Sequence, residues 1–245
     1  MAAPTTSAAP PPWPRYSLLS IVVPAFDEGR TIGQLLGRLG ALKLAIPHEV
    51  VVVDDGSTDD TAAVVDRCLV RLQGQVAARM IRQANGGKGC AVRTGIEASA
   101  GDLVVVQDAD LEYDPADLDV VLAPLLAGKS RAVYGSHILG PSRRGAAVFY
   151  LGGRLVTACT NILYGSDLTD EPTCYKMVDG ALLRSLSLEA KGFELCPELT
   201  AKLLKRGETI LEVPIRYAPR GVADGKKIRA RDGVRAIYEL LRWRL

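Results

Sequence analysis

The first half of the chain alternates short, uninterrupted apolar runs with stretches whose apolar residues recur every three or four positions. Residues 17–23 and 49–53 read as strands buried on both faces, and 103–107, Leu-Val-Val-Val-Gln, as another central strand. Residues 31–42 carry helical spacing; a second helix opens near Thr58 and Asp59 and runs to about Gln73, and a third begins after Gly89. Asp114-Pro115 has the makings of a helix start, with Asp as the cap and Pro in the first turn. Strands without polar alternation, separated by helices, predict an α/β fold: a mostly parallel central sheet with helices on both faces. The second half is less regular. Residues 148–164 and 194–206 predict helices, 209–213 a late strand, and 231–245 a closing helix, apolar at Val234, Ile237, Tyr238 and Leu241 and studded with arginines.

Composition narrows the function classes. With 245 residues, 48% hydrophobic and 24% charged, the chain can bury a full core, and a net charge of +2 gives no reason to expect a nucleic-acid partner. Five cysteines without a paired spacing argue for reduced thiols, and two histidines leave little room for a histidine-centred triad or a multi-histidine metal site. Residues 1–16 form an Ala/Pro/Thr-rich leader expected to be disordered, and 17–245 are expected to form a single domain. No run approaches the ~18 apolar residues of a membrane span. A cytoplasmic location follows as the expectation.

In a sheet of this kind ligands bind beyond the carboxyl ends of the strands, and the unusual residues fall there. Pro24-Ala25-Phe26-Asp27-Glu28 follows the first strand, Asp54-Asp55-Gly56-Ser57 the second, and Asp108-Ala109-Asp110-Leu111-Glu112 the run at 103–107. Three carboxylates at alternate positions repel one another unless a cation neutralises them, and hard oxygen ligands suit Mg²⁺ or Mn²⁺. The competing reading is a solvated acidic turn ahead of a helix. Asn85-Gly86-Gly87-Lys88-Gly89 offers close backbone approach, a helix N-terminus and a cation, the features of an anion site, although it lacks the spacing of a phosphate-binding P-loop.

In this order the motifs resemble family 2 glycosyltransferases of the GT-A fold, and within them the dolichyl- and polyprenyl-phosphate mannose and glucose synthases. Asp170-Glu171-Pro172-Thr173-Cys174-Tyr175-Lys176, Gly192-Phe193-Glu194 and Gly225-Lys226-Lys227-Ile228 extend the match, which covers roughly residues 20–244. The resemblance implies that Pro24, Ala25, Phe26 and Glu28 line a nucleotide site and that Asp55 meets the base or ribose with Asp54 beside it. It places Lys88 and Lys226 near the nucleotide and Asp108 and Ala109 near ribose or donor sugar. Asp110 and Glu112 would hold the metal, and Asp108, Asp170, Arg154 and Lys227 would serve catalysis. Two departures stand out: Glu112, where the family often has Gln, and Gly135-Ser136-His137, where it usually reads Ser-Arg.

The implied reaction is metal-dependent, inverting transfer of a hexosyl group from a GDP-mannose- or UDP-glucose-type donor to a polyprenyl phosphate. An anionic acceptor needs no strong base but does need cations, and the candidates are Arg143, Arg144, Arg154, Arg220, Lys226, Lys227 and Arg229. A small hydroxylated acceptor would instead need a general base, for which Asp170 is best placed by motif. A non-catalytic subunit that only binds sugar nucleotides is the third reading. The closing helix sets Trp243, Leu241 and Tyr238 among Arg231, Arg235, Arg242 and Arg244, a composition that suits either packing on the domain or peripheral contact with the inner face of an anionic membrane.

Overall fold

The computed structural model describes residues 16–141, 147–220 and 230–245. Residues 1–15 of the expected leader and five of the basic candidates (Arg143, Arg144, Lys226, Lys227 and Arg229) lie outside these residues; Tyr16, placed in that leader, is instead buried in the core, its hydroxyl donating to Asp179 at 3.1 Å. Seven strands form one sheet: β1 (Leu19–Ala25), β2 (His48–Asp54), β3 (Ala77–Arg82), β4 (Leu103–Val106), β5 (Ala132–Ser136), β6 (Lys176–Asp179) and β7 (Ile210–Pro214). Their spatial order is β3-β2-β1-β4-β6-β5-β7. Every neighbouring pair is parallel except those made by β6, which runs against both β4 and β5. The helices are α1 (Ile32–Gly40), α2 (Thr61–Leu72), α3 (Lys88–Ala98), α4 (Leu118–Leu126), α5 (Ala147–Tyr164), α6 (Gly180–Ser185), α7 (Leu195–Lys205) and α8 (Ala230–Arg244).

Alternate residues of the central strands feed two cores, as strands covered on both faces require. Ile21, Val23, Val50, Val52, Leu103 and Val105 pack with Leu35, Leu36 and Leu39 of α1 and Val121 and Leu122 of α4. Val22, Val104 and Val178 pack on the other side with Val92 and Ile96 of α3 and Leu199 and Leu203 of α7. The parallel run β3-β2-β1-β4 sets the exits of β1, β2 and β4 along one edge of the sheet.

Four elements are absent from the expectation, and each lacks an apolar signal for a physical reason. β3 is an edge strand, only partly buried, and carries Arg79 and Arg82. β5 and β6 are five and four residues long, and α6 is a six-residue helix. β6 also opens on Lys176, a buried cation whose Nζ donates to Thr200 Oγ1 at 3.0 Å and to Glu171 Oε1 at 3.3 Å and sits 3.9 Å from the centre of the Tyr134 ring. The closing helix does pack on the body, but of the apolar residues anticipated only Ile237 takes part. Ala236 and Leu240 are its buried positions, with Ile237 and Trp243 beside them, against Val156 of α5 and Ala201 of α7, whereas Val234, Tyr238 and Leu241 are exposed.

The Lys176–Glu171 pair supports the antiparallel centre of the sheet, and burial makes it one-sided to disrupt. Glu171→Ala leaves a buried ammonium without its counter-charge and is expected to lower stability by about 3–5 kcal/mol, read by urea unfolding. A loss within the error of that measurement would show that Thr200 and Tyr134 suffice.

Candidate functional site

Beyond β4 the chain turns sharply. Leu111 adopts a φ of 63°, a left-handed conformation uncommon for a residue with a side chain, and the turn is closed by Asp110 Oδ1, which accepts from the Glu112 amide at 3.0 Å. Ala109 is turned inward and buried in the first core, leaving the carboxyl groups of Asp108, Asp110 and Glu112 on the edge of the sheet. Each meets a different partner. Asp108 pairs with Lys88 at 2.6 Å. Asp110 Oδ2 accepts from Arg220 Nη2 at 2.9 Å. Glu112 accepts from the Tyr217 hydroxyl at 2.5 Å and from the Arg220 amide at 2.8 Å. The same guanidinium reaches both oxygens of Glu28 at 3.3 Å, tying the exit of β1 to that of β4.

Arg220 arrives on a strap that leaves β7 and crosses the site. Arg216 is fastened to Asp117 by its amide and guanidinium, and Tyr217 bridges to Tyr113. The Ala218 amide donates to the Glu112 carbonyl at 2.9 Å.

Electrostatics follow from this crowding. Burial, then the Asp108 and Glu112 charges, push the Asp110 carboxyl up to about 6, against the pull of Arg220. Burial works against the Lys88 charge, but the Asp108 carboxylate outweighs it and holds the ammonium protonated. The Tyr217 phenol is raised far above its ordinary range by burial and by Glu112. Asp110 therefore sits where a cation is in demand, and its hard oxygen suits Mg²⁺ or Mn²⁺. Among the described residues no group of three or more His, Cys, Asp or Glu side chains is arranged to hold a metal ion. Glu112 could join Asp110 as a ligand only by giving up Tyr217 or the Arg220 amide.

The glycine loop is built for close approach. Gly87 has a φ of 94°, and a Cβ there would lie 2.5 Å from the Lys191 carbonyl oxygen. A Cβ on Gly89 would lie 2.5 Å from the Ala190 carbonyl oxygen. Asp55 holds this loop: its carboxylate accepts from Gln83 Nε2 at 2.7 Å and from the amides of Gly86 and Gly87 at 2.9 and 2.8 Å. Asp54 is buried and accepts from the Ser57 amide at 3.0 Å. The two acids expected to face a nucleotide thus shape the turns after β2 and before α3. Pro24, Ala25 and Phe26 end β1 between these turns and the acidic trio, and the Glu28 amide donates to Thr61 Oγ1 at 2.8 Å.

On the other side of the strap, Asp170 is 3% exposed, and its Oδ2 accepts from the His137 amide at 3.0 Å and pairs with His137 Nδ1. The amides of Thr169 and Asp170 donate to Glu212 at 2.6 and 2.9 Å, and Arg154 Nη1 donates to the Thr169 carbonyl at 3.0 Å. The His137 ring lies 5.0 Å from that of Tyr217, so this acid is coupled to the acidic trio through one aromatic contact. A histidine–carboxylate pair forms even though two histidines in the chain gave little reason to expect one. All five cysteines are free, as anticipated. The structure therefore brings Pro24 to Glu28, Asp54, Asp55, Lys88, Asp108 and Asp110 to one edge, with Arg154 and Asp170 beside it. Tyr217 and Glu212 were missed. Both follow or lie in β7, and the density of Pro and Arg directly after that strand, in Arg216-Tyr217-Ala218-Pro219-Arg220, was the available signal.

Comparison with known proteins places this geometry. The model of the family described as "Glycosyl transferase family 2" matches residues 20–150. An undecaprenyl-phosphate mannosyltransferase of Micrococcus luteus is 29% identical over 91% of this chain and 93% of its own. A dodecaprenyl-phosphate galacturonate synthase of Rhizobium johnstonii is 39% identical over 44% of this chain and 32% of its own. An undecaprenyl-phosphate 4-deoxy-4-formamido-L-arabinose transferase of Pseudomonas aeruginosa is 35% identical over 54% and 37%. The match thus spans only about a third of the length of these last two relatives. Glucosyl-3-phosphoglycerate synthase of Mycobacterium tuberculosis superposes with a TM-score of 0.72 at 23% identity, over 93% of this chain and 80% of that one, which establishes the GT-A fold.

The crowding of carboxylates has a measurable sign. A carboxyl whose folded-state pKa is raised takes up a proton in the native protein before the unfolded chain does, so native stability grows as pH falls through that value. In protein free of metal and donor, the stability of wild type relative to Asp110→Asn should be level above about pH 7 and grow as pH falls through about 6 toward the ordinary carboxylate range near 4. Arg220→Gln, which removes the neighbouring cation, should move the onset of that rise to higher pH. Thermal melts across pH check both, and a gap independent of pH would mean that Asp110 is not held in a carboxylate-rich environment.

Proposed function

From a chain that belongs to glycosyl transferase family 2, we infer metal-dependent, inverting transfer of a hexosyl group from a nucleotide diphosphate sugar, of the GDP-mannose or UDP-glucose type, to a polyprenyl phosphate. The observation that carries this reading is the row of acids Asp108, Asp110 and Glu112 at the carboxyl edge of the sheet, paired with Lys88 and Arg220. The names of the relatives from Micrococcus, Rhizobium and Pseudomonas support the lipid phosphate as acceptor. The mycobacterial glucosyl-3-phosphoglycerate synthase, solved in complex with Mn²⁺ and UDP-glucose, supports the metal and a nucleotide sugar.

In this reading a phosphate oxygen of the acceptor attacks the anomeric carbon, the bond from that carbon to the diphosphate breaks, and the nucleotide diphosphate leaves with the electron pair. A divalent ion at Asp110, with Glu112 when that carboxylate is released, would neutralise charge on the departing diphosphate. Pro24, Ala25, Phe26 and Glu28 line the nucleotide, and Asp54 and Asp55 hold the turns that embrace it. Lys88, positioned by Asp108, contributes positive charge beside the donor. The Arg220 guanidinium, already shaped around carboxylates, is a ready partner for phosphate oxygens. Arg154, with Lys226 and Lys227 of the undescribed segment, would hold the acceptor phosphate.

A second reading is favoured by one specific feature. Asp170 holds His137 through Nδ1 and the amide, the arrangement that orients an imidazole so that Nε2 can take a proton. Were the acceptor a neutral hydroxyl of a small metabolite, the base would be His137 oriented by Asp170, and not Asp170 itself.

Labelled donor offered with detergent-solubilised polyprenyl phosphate, and separately with water-soluble hydroxylated acceptors, tests both readings. Lipid-linked product that disappears on chelation and in Asp110→Asn is expected. His137→Asn should cost about 10²-fold or more if a hydroxyl is the acceptor, and should flatten the pH profile; transfer to lipid phosphate should show no such loss. Product on soluble acceptors alone would overturn the polyprenyl phosphate assignment.

A further inference from the structure

The glycine loop ahead of α3 predicts a helix N-terminus open to an anion, and the structure fills that place with protein. The Lys191 carbonyl accepts from the amides of Gly89 and Cys90, in the first turn of α3, at 2.8 and 3.3 Å. The amides of Gly86 and Gly87 are taken by Asp55. Gly87 and Gly89 carry no side chain because the backbone at 190–191 lies where a Cβ would stand. The segment between α6 and α7 therefore plugs the start of α3. What the loop offers a ligand is the Lys88 ammonium and not these helix amides.

That segment is itself firmly held. Ser187 turns it in a left-handed conformation, with a φ of 49°. Glu198, fully buried in the first turn of α7, receives the amides of Glu189 and Ala190, one on each carboxylate oxygen, at 2.8 Å. Lys202 balances its charge at 2.7 Å and donates to the Ser187 carbonyl at 2.8 Å. Arg93 of α3 closes the circuit on the Glu189 carbonyl at 2.7 Å. Two residues beyond Lys191, the Phe193 ring lies 5.3 Å from Lys88 Nζ. Phe193 also lines a small cavity of about 30 Å³, walled by Val92, Val106 and Leu199 and bordered by both Lys88 and Lys176. No acid lines it. An ammonium turned that way would meet apolar walls and a second ammonium, whereas toward the sheet edge it finds Asp108 at 2.6 Å. The Phe193 ring stands on the cavity side as a wall with a favourable face for a cation.

We propose that Glu198 and Phe193 are positioning residues for the nucleotide: Glu198, through the backbone of 189–191, fixes where α3 begins, and Phe193 holds the Lys88 ammonium at the Asp108 edge, where it meets the diphosphate of the donor. Both act through Lys88. The assignment rests on the reading of Lys88 as a cation beside the donor.

GDP and UDP, each with Mn²⁺, are titrated by calorimetry into the full chain and its variants, a readout independent of turnover. Lys88→Met is expected to weaken binding by about tenfold or more. Phe193→Leu should weaken it by about threefold and Glu198→Gln by about fivefold, while Phe193→Tyr, which keeps the ring, should restore wild-type affinity. In the Lys88→Met background neither Phe193→Leu nor Glu198→Gln should cost anything further, because a defect relayed through Lys88 disappears with it. Melts without nucleotide report that each variant is folded, and Phe193→Leu carries the test alone should Glu198→Gln fail to fold. The proposal is overturned, with the donor reading intact, if either substitution costs as much without Lys88 as with it. It is likewise overturned if both leave binding at the wild-type level while Lys88→Met weakens it. Lys88→Met binding as tightly as wild type, or a wild type that binds neither nucleotide, would remove the donor-side reading of Lys88 and the proposal with it.

Discussion

Mutual repulsion among carboxylates at the exit of β4 is the constraint on which the rest of the site depends. Asp110 is mostly buried and lies within the fields of Asp108 and Glu112, a placement that a folded chain tolerates only with cations close by. Lys88 and Arg220 supply them, from the start of α3 and from the strap after β7. Two elements far apart in the chain are thus held to the same sheet edge by one local excess of negative charge. That excess also explains why the strap has its shape. Arg216, Tyr217 and Arg220 each carry it to an acid, Asp117, Glu112 and Asp110 in turn.

What could be read in the sequence follows the range of the interactions. The exits of β1, β2 and β4 were legible because a Val-rich strand and the acids that end it are contiguous, and the Asp-Ala-Asp-Leu-Glu turn is closed by a bond between residues two apart. The cap of the turn after β4 was legible for the same reason: Asp114 accepts from the Ala116 amide at 3.1 Å. Arg220 and Glu112 are 108 positions apart, and nothing local at either announces the pairing. β6 was illegible because its first residue is a lysine, and the chain reveals that this lysine is buried only when Glu171, Thr200 and Tyr134 are seen around it. The closing helix was half legible. Its periodicity is plain, but two apolar faces compete on it, and Ala236 and Leu240, with Ile237 and Trp243 beside them, occupy the buried one.

Asp55 shows how a motif can be right and its role incomplete. The resemblance directs it toward a nucleotide, while the structure gives both its oxygens to the glycine loop. The two are compatible. A carboxylate that fixes two loop amides and a glutamine decides where Lys88 begins its helix, and Lys88 in turn fixes Asp108. The exits of β2 and β4 are coupled through this chain of contacts, so a change at one alters the charge presented at the other.

The Asp170 side of the site is joined to the acidic trio in a comparable way, through aromatic rings and without shared charge. Tyr217 donates to Glu112 and lies 5.0 Å from His137 and 5.1 Å from Tyr113, and Tyr113 lies 5.0 Å from Tyr175. The Tyr113 hydroxyl accepts from the Cys174 amide, and that of Tyr175 donates to Gln107 at the end of β4. Burial raises the phenols of Tyr113, Tyr175 and Tyr217, so the ladder stays neutral across the ordinary pH range. Neutral groups of fixed shape suit the space between two charged sites: they set the distance from Asp170 to the acidic trio without adding to the field at either. His137 is the one member of the ladder that pairs with the Asp170 carboxylate. It also stands where the synthases this chain resembles usually carry an arginine, so that here an imidazole held by Asp170 and stacked toward Tyr217 takes the place of a guanidinium.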